Sequence, residues 1–313
     1  MKELAIISGS SNPFLATNIA ELLGVPLTSV MTGTFGNGEC RVEIQENVRN
    51  KDVFVIQGAS NTTDTHIMEL LLILDALKRS SCYRVTTVLP CYPYSRQDRK
   101  VISRVPISAK LVANLIMTAG TDRLLTSELH SPQIAGFFDI PVDNLHMFNV
   151  FVPHISANHP NNEICIVAPD AGSIKVAKSY AGKLGCGVAM IYKQRTGPSE
   201  IGEMFLIGEV KGKNCIIADD MVDSGGTLVK AANVLLNNGA ASVECYCTHP
   251  VLSGKAINTL ERSSIGKLYV TDTICNTSIK LSSKIEVLSS ATLFAEAIEG
   301  IHNEQSLSYL FDS

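Results

Sequence analysis

The sequence predicts two tandem doubly wound α/β domains, each built on a parallel sheet. Three observations predict it. Short apolar runs such as Ile164–Ala168 and Cys215–Ala218 have the composition of strands buried on both faces. Between such runs lie helix-period patterns of crossover length, and glycine-rich polar loops follow the carboxyl ends of the runs. The chain has 313 residues and 45% hydrophobic content, enough for two cores. The expected domains are 1–145 and 146–313, with the last residues packing back on the first domain.

In order, Leu4–Ile7 reads as a strand ending in Ser8-Gly9-Ser10-Ser11. A helix follows, with Pro13 in its first turn, Leu15, Ile19, Leu22 and Leu23 inward, and Gly24 closing it. Thr32–Glu39 is too rich in glycine for helix or strand. As a loop it offers Phe35 to stack on a planar base, with Asn37 and Glu39 to bond the base edge; a plain hairpin tip is the alternative. Val53–Gln57 is the next strand, and a helix from about Asp64 to Arg79 carries a wide apolar face. Val85–Leu89 leads to Arg96, Arg99 and Lys100, a cationic cluster suited to a polyphosphate unless it is only a solvated loop. The helix Ser108–Ala119 stops at Gly120, and the strand from Leu124 leads to His130, either a packed core histidine or a ligand.

The polar stretch Ser156–Asn162 is the expected linker. Beyond it, Ile164–Ala168 ends at Asp170, the helix Ile174–Leu184 stops at Gly185, and Ala189–Tyr192 leads into Lys193-Gln194-Arg195-Thr196-Gly197-Pro198. Two alternating cations followed by breakers suit a flap; a surface loop is the alternative. The site is expected where the chemical loops of the two halves meet.

The densest chemistry follows Cys215–Ala218. Asp219 and Asp220 come first, then Asp223-Ser224-Gly225-Gly226-Thr227, then a helical pattern. Strand, glycine turn and helix start form a phosphate cradle of hydroxyls and unpaired N–H groups. A carboxylate pair beside it repels phosphate but accepts from hydroxyls, so the ligand read here is a sugar phosphate with ribose hydroxyls on Asp219 and Asp220. No lysine precedes Thr227, which excludes a Walker A loop, and the acids are out of register for an EF-hand. A solvated acidic turn is the bland alternative.

A formal net charge of −4 argues against broad nucleic-acid or acidic-membrane binding. Nine scattered cysteines without a C-x-x-C pair fit reduced thiols, not a zinc site or a disulfide framework. No apolar run reaches the length of a membrane span or a signal peptide, so a cytoplasmic protein is expected.

SGSS at Ser8, FGNGE at Phe35, YSRQDRK at Tyr94, GFFDIPVDNL at Gly136 and DDMVDSGGT at Asp219 together resemble the ribose-phosphate pyrophosphokinase family, nearly end to end. The resemblance implies two phosphoribosyltransferase-like domains, Mg2+ as cofactor, and a homo-oligomer of dimers grouped into hexamers. It implies that the anomeric hydroxyl of ribose 5-phosphate attacks the β-phosphorus of ATP, giving phosphoribosyl pyrophosphate and AMP. By position, Asp223, Ser224, Gly225, Gly226 and Thr227 would hold the 5-phosphate, with Asp219 and Asp220 at the ribose. Phe35, Asn37, Glu39, Arg96 and Gln97 would bind ATP, His130 and Asp170 the metal, and Lys193 and Arg195 would be catalytic. Arg49, Ser81, Arg104, Ser306, Ser308 and Phe311 match a regulatory anion site. Ser173, Val176, Ser224 and Asn47 depart from the usual residues of the family. A phosphoribosyltransferase and a non-catalytic regulatory relative are the competing functions.

Overall fold

The computed structural model describes residues 2–59, 62–161, 163–195 and 201–311, with backbone alone at 193–195 and 201–203. The chain divides into two compact units, Met1–Met147 with Thr273–Cys275 and Ser290–Asp312, and Phe148–Asp272 with Asn276–Ser289.

The first unit runs β1 (Leu4–Ser8), α1 (Pro13–Leu23), β2 (Val30–Thr34), β3 (Cys40–Ile44), β4 (Asp52–Ile56), α2 (Thr63–Arg79), β5 (Arg84–Leu89), α3 (Ser108–Ala119), β6 (Arg123–Ser127) and β7 (Val142–Leu145). Its five-stranded sheet has the order β1-β4-β5-β6-β7 and is parallel throughout. β4 is buried along its whole length, which is why Val53–Ile56 read as an unbroken apolar run. Pro13 opens α1, where its missing N–H costs nothing; Gly24 closes it at φ +68°, donating to the carbonyls of Ala20 and Glu21. One expectation fails here. Thr32–Thr34 belong to an antiparallel hairpin, β2 with β3, whose pairing runs from Val30↔Ile44 to Thr34↔Cys40. Its residues are half-buried at most, so no apolar run marks it.

The second unit runs α4 (Phe148–Asn158), β8 (Ile164–Ala168), α5 (Ile174–Leu184), β9 (Gly187–Arg195), β10 (Ile201–Ile207), β11 (Asn214–Val222), α6 (Gly226–Asn237), β12 (Ser242–Pro250), α7 (Ala256–Glu261), β13 (Leu268–Thr271) and β14 (Ile285–Leu288). The sheet order is β10-β9-β8-β11-β12-β13-β14, parallel except for the β9–β10 edge pair. The expected linker is in part the end of α4: Phe148, Phe151 and Ile155 bury one face of that helix, and packing overrides the polar residues after them.

The final segment returns to the first unit as α8 (Ala291–His302), which packs on α1, followed by a helical turn α9 (Ser308–Phe311). Internally the two units share one plan. Strands β1-β4-β5-β6-β7 correspond in order and direction to β8-β11-β12-β13-β14, and an antiparallel pair follows the first crossover helix in each. Parallel ladders place the carboxyl ends of all strands of the two parallel sheets except β10 at one edge, so each sheet gathers its loops there. No helix among the described residues is long and apolar enough to cross a membrane.

Candidate active site

In the second unit, β11 continues through both acids: Asp219 pairs with Cys247 and Val222 with Pro250 of β12. Asp219 and Asp220 are therefore strand residues, held by the ladder, and the turn is confined to Asp223–Gly225. Gly225 caps α6 at φ +75°, and a Cβ there would lie 3.2 Å from Leu260 Cγ. Only glycine fits both the backbone and the space. Gly226 and Thr227 open the helix, where the first N–H groups have no intrahelical acceptor. The Ser253 hydroxyl, on the loop after β12, donates to the Asp223 carboxylate. Sequence reasoning did not single out Ser253; no local motif marks it.

Asp219 is held well above the ordinary carboxylate range, first by its removal from water and then by the negative charges of Asp220 and Asp170. Asp170 opens the turn between β8 and α5, where its Oδ1 accepts from Gly172 N at 3.0 Å, Ser173 N at 3.2 Å and Ser173 Oγ at 3.2 Å. Lys193 and Arg195 stand at the end of β9, paired with β10 at Lys193↔Met204 and Arg195↔Ile201. Their backbone is thus strand, not loop; their side chains and residues 196–200 lie outside the described residues.

In the first unit, Arg96 and Gln97 lie exposed in the loop after β5. Gln97 has a structural duty as well: its Oε1 accepts from the Ser108 hydroxyl, and its carbonyl accepts from Ala109 N at 3.2 Å, closing the start of α3. Tyr94, at φ +57°, turns the chain into this loop, and its phenol donates to Asp64 at the start of α2. His130 is exposed beyond the end of β6. At the hairpin tip, Phe35 N donates to Glu39 O at 2.8 Å and Glu39 N to Asn37 Oδ1 at 3.2 Å. Asn37 therefore spends its carbonyl oxygen on the turn. Phe35 is 51% exposed, with the Arg41 guanidinium 5.8 Å from its ring centre.

Two α/β units wound on one plan are what the comparisons with known proteins match. A model of the N-terminal domain of ribose phosphate pyrophosphokinase matches residues 4–120, and one of the phosphoribosyl synthetase-associated domain matches 194–312. A ribose-phosphate pyrophosphokinase of Rhizobium meliloti is 46% identical over 310 residues, spanning 99% of this chain and 100% of the relative. One from Clostridium tetani is 45% identical over 313 residues, 99% of this chain and 98% of that protein. The crystal structure of phosphoribosylpyrophosphate synthetase from Mycobacterium smegmatis superposes with a TM-score of 0.92 at 39% identity, covering 97% of this chain and 100% of that one. The chain belongs to the ribose-phosphate pyrophosphokinase family. Membership extends along the whole chain and makes it an enzyme.

Against the ribose-phosphate pyrophosphokinase pattern, the departures are mild in structure. Ser173 has a right-handed backbone, φ −84° and ψ 0°, so a side chain is accommodated without strain, and its hydroxyl adds a donor to Asp170. Val176 is 39% exposed on α5. Asn47 accepts from Arg49 N at 3.0 Å, a turn that a serine hydroxyl also forms. Arg49 lines a cavity of about 620 Å3 with Lys2, Lys51, Tyr83, Arg84 and His302. Ser81, at φ +57°, accepts at its carbonyl from Asn50 N at 3.0 Å. Ser306 and Ser308 bond each other through their hydroxyls at 2.8 Å, Phe311 ends the last helical turn, and Arg104 stands at φ +65°.

Proposed function

We propose that the chain transfers the β,γ-pyrophosphoryl group of ATP to the C1 hydroxyl of ribose 5-phosphate, releasing AMP. The observation that carries this reading is the cradle: a glycine that must be glycine, hydroxyls at Ser224 and Thr227, and two strand-held acids before it. The 5-phosphate would sit on the N–H groups of Gly225–Thr227, and ribose hydroxyls would donate to Asp219 and Asp220. Phe35 and Glu39 would take the adenine, and Arg96 and Gln97 the ATP phosphates. Lys193 and Arg195 would meet the charge developing toward the departing AMP. Phosphoryl-type transfer asks mostly for positioning and charge neutralisation, which is what these residues offer.

The donor set fits a hard divalent cation. Asp219 is crowded by Asp220 and Asp170, an excess of negative charge that Mg2+ would offset. Asp170 and His130 would each be a Mg2+-binding position, directly or through water. When bound, the ion would supply positive charge to offset that of the phosphates. We further infer a cytoplasmic homo-oligomer, dimers in a hexamer, with Arg49, Ser81, Arg104, Ser306, Ser308 and Phe311 forming an anion-responsive regulatory site. The turn after Asp170 supports an active enzyme over a non-catalytic relative, because Ser173 leaves Asp170 held by three donors.

Incubation with ATP, ribose 5-phosphate and Mg2+ should yield AMP and phosphoribosyl pyrophosphate in equal amounts. Release of ADP instead, or no sugar-dependent AMP, would overturn the reading. Lys193→Ala should lower kcat by roughly 10²–10³-fold with ATP affinity little changed. Near-normal turnover in that variant would remove Lys193 from the chemistry.

A further inference from the structure

Two residues before His130 the backbone does something unusual. Glu128, directly after β6, has φ +38°, in the left-handed region that a residue with a Cβ rarely adopts. Such a conformation persists where its surroundings over-determine it, and here they do. Glu128 N donates to Leu145 O at 3.0 Å, extending the β6–β7 ladder by one step. Its side chain, 11% exposed, folds back over the end of β7: Oε1 accepts from Met147 N at 2.8 Å, and Oε2 faces His146 Nδ1 at 3.4 Å. Leu129 N then leaves the ladder and donates to the Asn144 side chain at 3.0 Å, while the Leu129 side chain is buried. His130 emerges exposed from this clamp.

We propose that Glu128 is a positioning residue for His130. Its carboxylate, fixed on the Met147 N–H and the His146 ring, holds the left-handed turn that directs His130 out of the sheet edge, and Asn144 secures the next peptide. This rests on the reading of His130 as a metal-binding position. It adds to that reading the group that sets where the imidazole stands, with its own carboxylate already engaged by Met147 N and His146.

Binding of Mn2+ to the full-length protein with a non-hydrolysable ATP analogue, followed by the electron-spin signal of free Mn2+, tests this independently of turnover. Glu128→Ala should weaken Mn2+ affinity about tenfold, with the KM for ribose 5-phosphate changed less than about twofold, whereas Glu128→Gln, which keeps an oxygen for Met147 N–H, should stay within about threefold of the parent. Unchanged affinity in Glu128→Ala beside a loss in His130→Ala would overturn the clamp and leave the His130 reading standing. Unchanged affinity in both would overturn the two together. Should Glu128→Ala fail to fold, Asn144→Ala carries the test, since it frees the Leu129 peptide; unchanged Mn2+ affinity there would overturn the proposal.

Discussion

At the residue scale, Asp219 shows what the fold does to a side chain that ordinary chemistry would leave ionised. Burial and the charges of Asp220 and Asp170 raise its pKa in the folded state. The folded chain therefore holds the proton more tightly than the unfolded one. Stability falls as pH rises from the unfolded value through the folded one, and the penalty is absent below the unfolded value. Without metal, Asp219→Asn should melt above the parent at neutral pH, and the difference should close as pH falls to about 4, near the unfolded carboxyl value. Thermal unfolding in a chelator at several pH values checks this; a difference that widens toward acid would refute it. Gly225 is the second telling residue. An alanine there faces a left-handed backbone cost of about 1–2 kcal/mol and a Cβ 3.2 Å from Leu260 Cγ. Gly225→Ala should raise the KM for ribose 5-phosphate about tenfold or more, read from initial rates. The need for glycine was legible in the sequence; the Leu260 contact, 35 positions on, was not.

At the element scale, the loop between β1 and α1 is held by a buried network. Gln57 Oε1 accepts from Ser11 N at 2.9 Å, Gln57 Nε2 donates to Glu69 at 2.7 Å, and Glu69 also accepts from Ser10 N at 2.7 Å. A Cβ on Gly9 would stand 2.5 Å from Gln57 Cδ. Gly9→Ala must therefore displace that amide, at a cost of about 1–3 kcal/mol. Gly136→Ala, with nothing within 4 Å of the new Cβ, should be close to silent. Urea midpoints of the two variants compare them directly. The SGSS motif was visible in the sequence, but its anchor on α2 was not, because Glu69 reads there only as a polar residue in a helix. The β2–β3 hairpin was missed for a related reason. Its ladder is made by backbone pairing, and its half-buried side chains carry little apolar signal.

At the scale of the whole molecule, the chain's end completes the first unit. Asp52, at the start of β4, is 1% exposed. It takes a two-armed bond from Arg84, Nε to Oδ1 at 2.8 Å and Nη2 to Oδ2 at 2.6 Å. It also meets His302 Nδ1 at 2.8 Å, and Arg84 Nη2 donates to Ile301 O at 3.0 Å. The cluster ties the carboxyl end of α8 to the sheet. Removing one member of a buried charge pair leaves the other uncompensated, so Asp52→Ala should cost about 3–5 kcal/mol by urea unfolding. A loss under about 1 kcal/mol would show the cluster to be no more than a surface pair. The thiols give a second whole-molecule check. Cys91, Cys165, Cys215, Cys245 and Cys247 are buried, and burial pushes Cys215 up to about 12. An aromatic disulfide reagent should titrate at most the other four of the nine in the native protein and all nine after denaturation.

The sequence by itself determined the two parallel-sheet cores, the helix stops at Gly24, Gly120 and Gly185, and the order acid pair, cradle, helix. These rest on periodicity and turn chemistry, which act between near neighbours along the chain. Only the tertiary structure decided that Arg84 and His302 converge on Asp52, that Asp219 is driven toward its neutral form, and that Glu128 bends the chain before His130. Each depends on groups brought together by folding, His302 and Asp52 being 250 positions apart, and no local pattern encodes a partner at that distance.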